Sequence, residues 1–260
     1  MVFQFRKAPQ FYQTHGKGPA MVLLHGFLED GTIWDRYVDH LSKKYFLIVL
    51  DLPGHGKSGV VAKTHSMELM AEAVYELLQL LKIDTVVLVG HSMGGYVSLA
   101  FAEMHPETLS GLVLLNSTPE ADGPERIENR NRALEMIPKE KEKIIGMALS
   151  NLFSENARTL YCDEIKKLKQ QANGFATEGI LANIRGMRDR KDRTSILTAV
   201  SKTKWLLCGD QDPVVPLKTS RNVSKKTGTP IQILHGSHMG WLENEANIKD
   251  FLLFVDFFYT

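Results

Sequence analysis

The sequence predicts an α/β protein: a mostly parallel, doubly wound sheet with an inserted helical cap. Three observations carry this expectation. Short apolar runs alternate with longer amphipathic segments, the pattern of parallel strands joined by helices. Each run closes in a polar or glycine-containing loop, such as HGF, DLPGHG, GHSMGG, NSTP, GDQDP and HGSHMG. The alternation lapses between about Thr118 and Arg193, then resumes with a strand-like run at Lys204.

Taken in order, Val2–Arg6 and Gln10–Thr14 read as short strands forming an antiparallel edge. The apolar runs Ala20–Leu24 and Tyr45–Leu50 are the first buried strands. After Ser66, a residue suited to cap a helix, Met70, Ala73, Val74, Leu77, Leu78 and Leu81 recur at helical spacing. A strand at Thr85–Val89 leads into a helix over Gly94–His105, halted near Pro106, whose ring cannot continue it. Gly111–Leu115 is the next strand. The stretch 118–193 is more charged and rich in helix formers, as in EKEKIIGMALSNLF and ARTLYCDEIKKLKQQ. Because Lys204–Cys208 and Pro230–Leu234 are needed to complete the sheet, 118–193 is expected to be a cap inserted into a core made of 1–117 and 194–260. The apolar run Phe251–Tyr259 reads as a terminal core helix, too short for a membrane anchor and interrupted by Asp256. In doubly wound sheets ligands bind at the carboxyl ends of the strands, so the loops should converge on one site.

Composition excludes several classes of partner. With 31 basic and 30 acidic residues in 260, the net charge of +1 gives no electrostatic reason to bind nucleic acid or an anionic membrane. Hydrophobic residues at 43% and charged residues at 23% are those of an ordinary globular protein. The two cysteines, Cys162 and Cys208, have neither a disulfide framework nor zinc-ligand spacing. The amino-terminal segment lacks an apolar core of signal-peptide length. A cytoplasmic location with reduced thiols is therefore expected.

The strongest chemical signal is Gly90-His91-Ser92-Met93-Gly94-Gly95, between a predicted strand and a predicted helix. This is G-x-S-x-G in the context its chemistry requires. A sharp strand-to-helix turn exposes the serine hydroxyl, and small residues at 90 and 94 let the backbone pass close by. The positive end of the following helix then lies near any negative charge that develops there. Together with Leu24-His25-Gly26-Phe27, Asp51-Leu52-Pro53-Gly54-His55-Gly56-Lys57-Ser58, Gly209-Asp210-Gln211-Asp212-Pro213 and Gly236-Ser237-His238-Met239, the chain resembles the α/β-hydrolase superfamily over essentially its whole length. The likeness is closest to capped microbial esterases.

A serine hydroxyl needs a base to take its proton as it attacks. Among nine histidines, His238 lies in a loop similar to the family's histidine loop, and His235, nearer the strand end, is the structural rival. The resemblance places the acid at Asp212, with Asp210 ordering the loop. Asp212 would hold the His238 tautomer and stabilise the imidazolium. The backbone N–H groups of Phe27 and Met93 are the expected oxyanion hole. No metal or organic cofactor is expected.

Other features carry less. Gly56-Lys57-Ser58 lacks the glycine a phosphate-binding loop requires five positions earlier, where Asp51 stands. His25, His55 and His91 read as loop residues. The runs 139–143 and 185–193 read as solvated cap faces, with an anion pocket at Arg185 or Arg188 as the alternative. Met136, Met147, Phe153, Phe175 and Met187 are candidate acyl-pocket residues. The resemblance implies a carboxylesterase that cleaves small to medium apolar esters through an acyl-enzyme on Ser92, as a monomer or homodimer. Its alternatives are carbon–carbon bond hydrolysis, lyase chemistry or perhydrolysis on the same fold, or a ligand-binding receptor without turnover.

Overall fold

The computed structural model describes residues 1–254. Eight strands form one sheet: β1 (Val2–Phe5), β2 (Ala8–His15), β3 (Ala20–Leu24), β4 (Phe46–Leu50), β5 (Val86–His91), β6 (Leu109–Leu115), β7 (Thr203–Gly209) and β8 (Ile231–Leu234). Their order is β1-β2-β4-β3-β5-β6-β7-β8. The β1–β2 and β2–β4 pairings are antiparallel and all others parallel, so the antiparallel edge lies where the sequence puts it.

The central strands β3, β5 and β6 are buried along their whole length, and the sheet buries apolar residues on both faces. That is why they read as continuous apolar runs rather than alternating ones. One face packs against α2 (Met67–Leu81), α3 (Met93–Met104), α8 (Thr194–Ala199) and α9 (Leu217–Thr227), through residues such as Val74, Leu78, Val97, Phe101, Leu197 and Val223. The other packs against α1 (Asp35–Leu41), the short α10 (Gly240–Glu243) and α11 (Glu245–Leu253). Ser66 caps α2, accepting from the Leu69 N–H at 3.1 Å, and the helix ends at Lys82 in the left-handed region, φ 58°. The carboxyl-terminal helix begins six residues before Phe251, at Glu245; residues 255–259 of the predicted terminal run lie outside the described residues.

Between β6 and β7 run α4 (Pro124–Ser150), α5 (Glu155–Leu160), α6 (Cys162–Gly174), α7 (Thr177–Arg188) and then α8. Helix α4 is kinked where Pro138 interrupts it and Glu140 leaves helical geometry at φ −136°, ψ 47°. Helix α7 lies hard against the loop after β4: a Cβ at Gly179 would collide with Gly54, and one at Gly186 with the His65 carbonyl. Asn183 fastens the same contact, donating to the Pro53 carbonyl at 2.9 Å.

The run 185–193 is not a solvated face throughout. Arg190 and Arg193 are buried, Arg193 bonding Glu68 at 2.6 Å and Glu103 at 2.9 Å. A guanidinium can be taken out of water when several fixed acceptors replace its hydration, and charge counting along the chain does not reveal those acceptors. Lys141, in the other run, likewise donates to the Asn173 and Phe175 carbonyls.

Candidate active site

Ser92 sits in the turn between β5 and α3 with φ 49° and ψ −112°, a conformation costly for a side chain with a Cβ. The turn is tight enough that a Cβ at Gly90 would collide with Gly94, and one at Gly94 with the Leu24 carbonyl. Backbone strain here is held by packing on both sides. The Ser92 N–H donates to the Leu115 carbonyl at 2.9 Å, and the Ser117 hydroxyl donates to the Ser92 carbonyl at 2.8 Å.

His238 follows β8, and its Nε2 lies 2.8 Å from Ser92 Oγ. On the other side of the ring, Nδ1 is 2.8 and 3.0 Å from the two oxygens of Asp212. An ionised carboxylate only accepts, so Nδ1 carries the proton and the Nε2 lone pair faces the serine hydroxyl. Asp212 also accepts from the backbone N–H of Val214 and Val215 at 2.7 and 2.8 Å, and from Asn116 Nδ2 at 2.9 Å. Burial would raise its pKa, but the His238 contact and these donors outweigh it and hold the carboxyl below its ordinary value.

The rival residues pair with each other. His235 Nδ1 is 3.0 Å from Asp210, and its side chain is 82% exposed, whereas that of His238 is 2% exposed. Asp210 also accepts from the Gly236 N–H and so orders the loop.

Met93 follows the serine and Phe27 lines the same small cavity, and neither backbone N–H has a hydrogen-bond acceptor among the described residues. Their neighbours are occupied: the Gly26 N–H donates to Glu29 at 2.6 Å and the Leu28 N–H to His55 Nε2 at 3.2 Å. Met93 is the first residue of α3, where an N–H has no partner within the helix. His25 and His55 both brace this loop, His25 bonding the Gly26 carbonyl and the Leu52 N–H. His55 is held neutral well below its ordinary pKa by burial and by its neighbours His25 and His65, and burial brings His65 down to about 4.

Beneath the site lies a buried ion pair that the sequence reading missed. His91 Nδ1 donates to Glu29 at 2.8 Å and Nε2 to the His238 carbonyl at 2.9 Å, so both ring nitrogens carry protons. Glu29 also accepts from Trp241 Nε1 at 3.0 Å. Burial disfavours both charges, yet each partner's attraction prevails: His91 is raised and Glu29 lowered. No local signal marks the pair, because its members stand 62 residues apart.

The pair has a pH signature. A raised imidazole contributes in full below its ordinary 6.5 and loses its contribution as pH rises through the folded value; a lowered carboxylate contributes in full above its ordinary 4.5 and loses it as pH falls. Both terms are complete between these limits. Glu29→Gln should therefore cost about 3–5 kcal/mol near pH 6, as when one member of a buried pair is removed. The gap from wild type should narrow by pH 9, as measured by chemical denaturation at both pH values. An equal gap at both would contradict the ion pair.

Two cavities that share Phe27, Leu28, Arg130, Ala148 and Val214 in their walls lie on this side of the sheet, and Ser92 lines the smaller. The smaller, of about 120 Å³, reaches Ser92, His238, Tyr96 and Met187; the larger, of about 580 Å³, is walled by Ile137, Ile144, Ile145 and Ile184. Of the five candidate acyl-pocket residues, Met187 alone lines either cavity. Phe153 and Phe175 are core residues, and Met147 is 48% exposed. Neither Arg185 nor Arg188 lines them; these bond the Lys63 carbonyl and Asp189 instead. The loop at Gly56-Lys57-Ser58 folds onto Asp51, which accepts from the Lys57 N–H at 2.8 Å. Among the described residues no group of three or more His, Cys, Asp or Glu side chains is arranged to hold a metal, and no helix is long and apolar enough to cross a membrane.

Residues 19–245 match the family model described as the alpha/beta hydrolase fold. A pimeloyl-[acyl-carrier protein] methyl ester esterase of Vibrio campbellii is 29% identical over 253 residues, covering 90% of this chain and 94% of that protein. The structure of a thermophilic esterase from Thermogutta terrifontis, with malate bound, superimposes with a TM-score of 0.92 at 28% identity, over 97% of this chain and 95% of that one. An uncharacterised protein of Mycobacterium tuberculosis is 34% identical over 116 residues, or 45% of this chain, which match only 33% of that protein's length.

Proposed function

The chain belongs to the α/β-hydrolase fold family, and from that premise we propose that it is a serine carboxylesterase acting on small to medium esters. The observation that carries the reading is the hydrogen-bonded chain Ser92–His238–Asp212, set beside two unpartnered backbone N–H groups. Esterases among its relatives support the same reaction class.

In this mechanism Ser92 Oγ attacks the ester carbonyl while His238 Nε2 takes its proton. Asp212 keeps the imidazole in the productive tautomer and stabilises the imidazolium. The oxyanion of the tetrahedral intermediate is stabilised by the N–H groups of Phe27 and Met93, which have no other acceptor to give up. His238 returns the proton to the leaving alcohol. Water, deprotonated by His238, then attacks the acyl-Ser92 ester, and collapse of the second intermediate releases the acid and restores the serine. Residues 118–193 act as a cap that shields the acyl-enzyme and shapes the acyl pocket through the isoleucines of α4 and α7.

The reading is tested by turnover of p-nitrophenyl esters of increasing acyl length. Many equivalents of nitrophenol per protein, with a burst equal to the enzyme concentration where deacylation limits, are expected. A single equivalent released with no further turnover would contradict an esterase and favour a receptor of the same fold.

A further inference from the structure

The larger cavity is apolar in its walls but not in its charge. Its charged lining residues are Arg126, Arg130 and Arg158, and none of its lining residues is acidic. Arg130 also lines the smaller cavity that contains Ser92, at the junction of the two with Phe27, Leu28, Ala148 and Val214.

Arg126 donates to the Val214 carbonyl and Arg158 to the Ser150 carbonyl, so the arginine whose charge the neighbouring carboxylate leaves to be accounted for is Arg130. Asp122 is fully buried and meets Arg130 Nε at 2.5 Å and Arg190 Nη1 at 2.7 Å, with Arg126 Nη1 more distant at 3.8 Å. One negative charge thus faces three positive ones. Burial would raise Asp122, but Arg130 and Arg190 together hold it ionised, below its ordinary range. Arg190 is consumed structurally: it donates to the Met187 and Glu120 carbonyls and lies 4.1 Å over the Tyr96 ring. Arg130 uses only its Nε edge on Asp122, and its two terminal nitrogens have no hydrogen-bond partner among the described residues, although its side chain is just 20% exposed. A merely structural tether between α4 and the segment before it would be complete with the Nε contact. It would not need a second, unpaired guanidinium edge in the space shared with the nucleophile.

A guanidinium with two free parallel donors in a largely apolar cavity matches a carboxylate, which accepts both bonds in one plane. A neutral ester leaves those donors desolvated and unused. Resting on the reading of Ser92 as the nucleophile, we propose that the substrate is an ester bearing a free carboxylate, held by Arg130 with Arg126 beside it. A short apolar chain against the isoleucine wall would separate that carboxylate from the scissile bond.

The test compares matched pairs of esters that differ in one carboxylate. Mono-p-nitrophenyl adipate against p-nitrophenyl hexanoate places it on the acyl side; 4-carboxyphenyl hexanoate against phenyl hexanoate places it on the alcohol side. Wild type should prefer the charged member of one pair by tenfold or more in kcat/KM, the scale of one charge-assisted hydrogen bond. Arg130→Gln should erase most of that preference, and Arg130→Lys should restore only part of it, because an ammonium lacks the planar fork. Arg126→Gln, which leaves the Arg130–Asp122 contact intact, should reduce the preference while the fold is retained by circular dichroism. Equal kcat/KM within both pairs, or a preference unaltered in both glutamine variants, overturns the proposal. Ser92→Ala should stop turnover of all four esters; turnover surviving that change would instead overturn the nucleophile assignment beneath it.

Discussion

Ser92→Ala should reduce ester hydrolysis by a factor on the order of 10⁴ or more while leaving the fold intact, since members of the proposed triad act as a unit. The variant keeps the contacts that form the turn. The bonds of residue 92 to its surroundings run through its backbone, from its N–H to Leu115 and from Ser117 to its carbonyl. Only the hydroxyl's bond to His238 is lost. Removing a hydroxyl from a strained, partly buried turn leaves no unsatisfied charge, so the thermal midpoint should hold or rise slightly. Steady-state turnover and calorimetry on the same preparation check both halves. Activity within tenfold of wild type would contradict the assignment, and so would a loss of activity fully explained by unfolding.

Asp212→Asn is expected to have the next largest effect, a loss on the order of 10⁴ in kcat with the fold preserved, by analogy with the same change in a serine protease triad. The physical cause is the tautomer. An asparagine amide offers His238 Nδ1 a donor as well as an acceptor, so the ring can settle with its proton on Nε2, where it cannot accept from Ser92. The surroundings sharpen the effect, because Val214 N–H, Val215 N–H and Asn116 Nδ2 all donate toward residue 212. The two main-chain donors meet Oδ1 and favour the amide oxygen there, which leaves the NH₂ at the Oδ2 position, 2.8 Å from His238 Nδ1 in the wild type. Asp210→Asn, which alters an exposed contact to His235, should stay within a few-fold of wild type. Comparable losses in the two variants, each correctly folded, would contradict the distinct places of the two aspartates.

The centre of the sheet was legible in the sequence because β3, β5 and β6 are buried along their whole length, so each is an apolar run closed by a turn. The geometry around Ser92 was legible because the loops that carry it stand at strand ends and bear their chemistry in order. The likeness to the family's loops separated His238 and Asp212 from His235 and Asp210, and in the structure His238 bonds Asp212 while His235 bonds Asp210. What sequence did not reveal are residues whose role exists only across long separations: Glu29 with His91, Asn116 with Asp212, and Asp122 with Arg130 and Arg190. The cavity wall was misread for a related reason. On the part of α4 after the bend, Ile144, Ile145 and Ala148 line the cavity while Met147 is 48% exposed, a distinction that residue type alone does not carry. Methionine and phenylalanine in the helical segment between β6 and β7 are as readily packing residues as pocket residues, and Phe153 and Phe175 are the former.

Glu29 and His91 connect the two halves of the proposed machinery. Glu29 holds the Gly26 N–H in the loop that carries the Phe27 donor, while His91 holds the main-chain carbonyl of His238. The ion pair therefore fixes the oxyanion-side loop against the base, with both partners buried where water cannot compete.

Reaction with a fluorophosphonate, followed by peptide mapping of the adduct in wild type and in Ser92→Ala, probes the reactive hydroxyl itself. A single phosphonyl group on residue 92, formed in wild type and absent from the variant, is the predicted result. An adduct mapped to any other side chain, or labelling undiminished by the substitution, would contradict it.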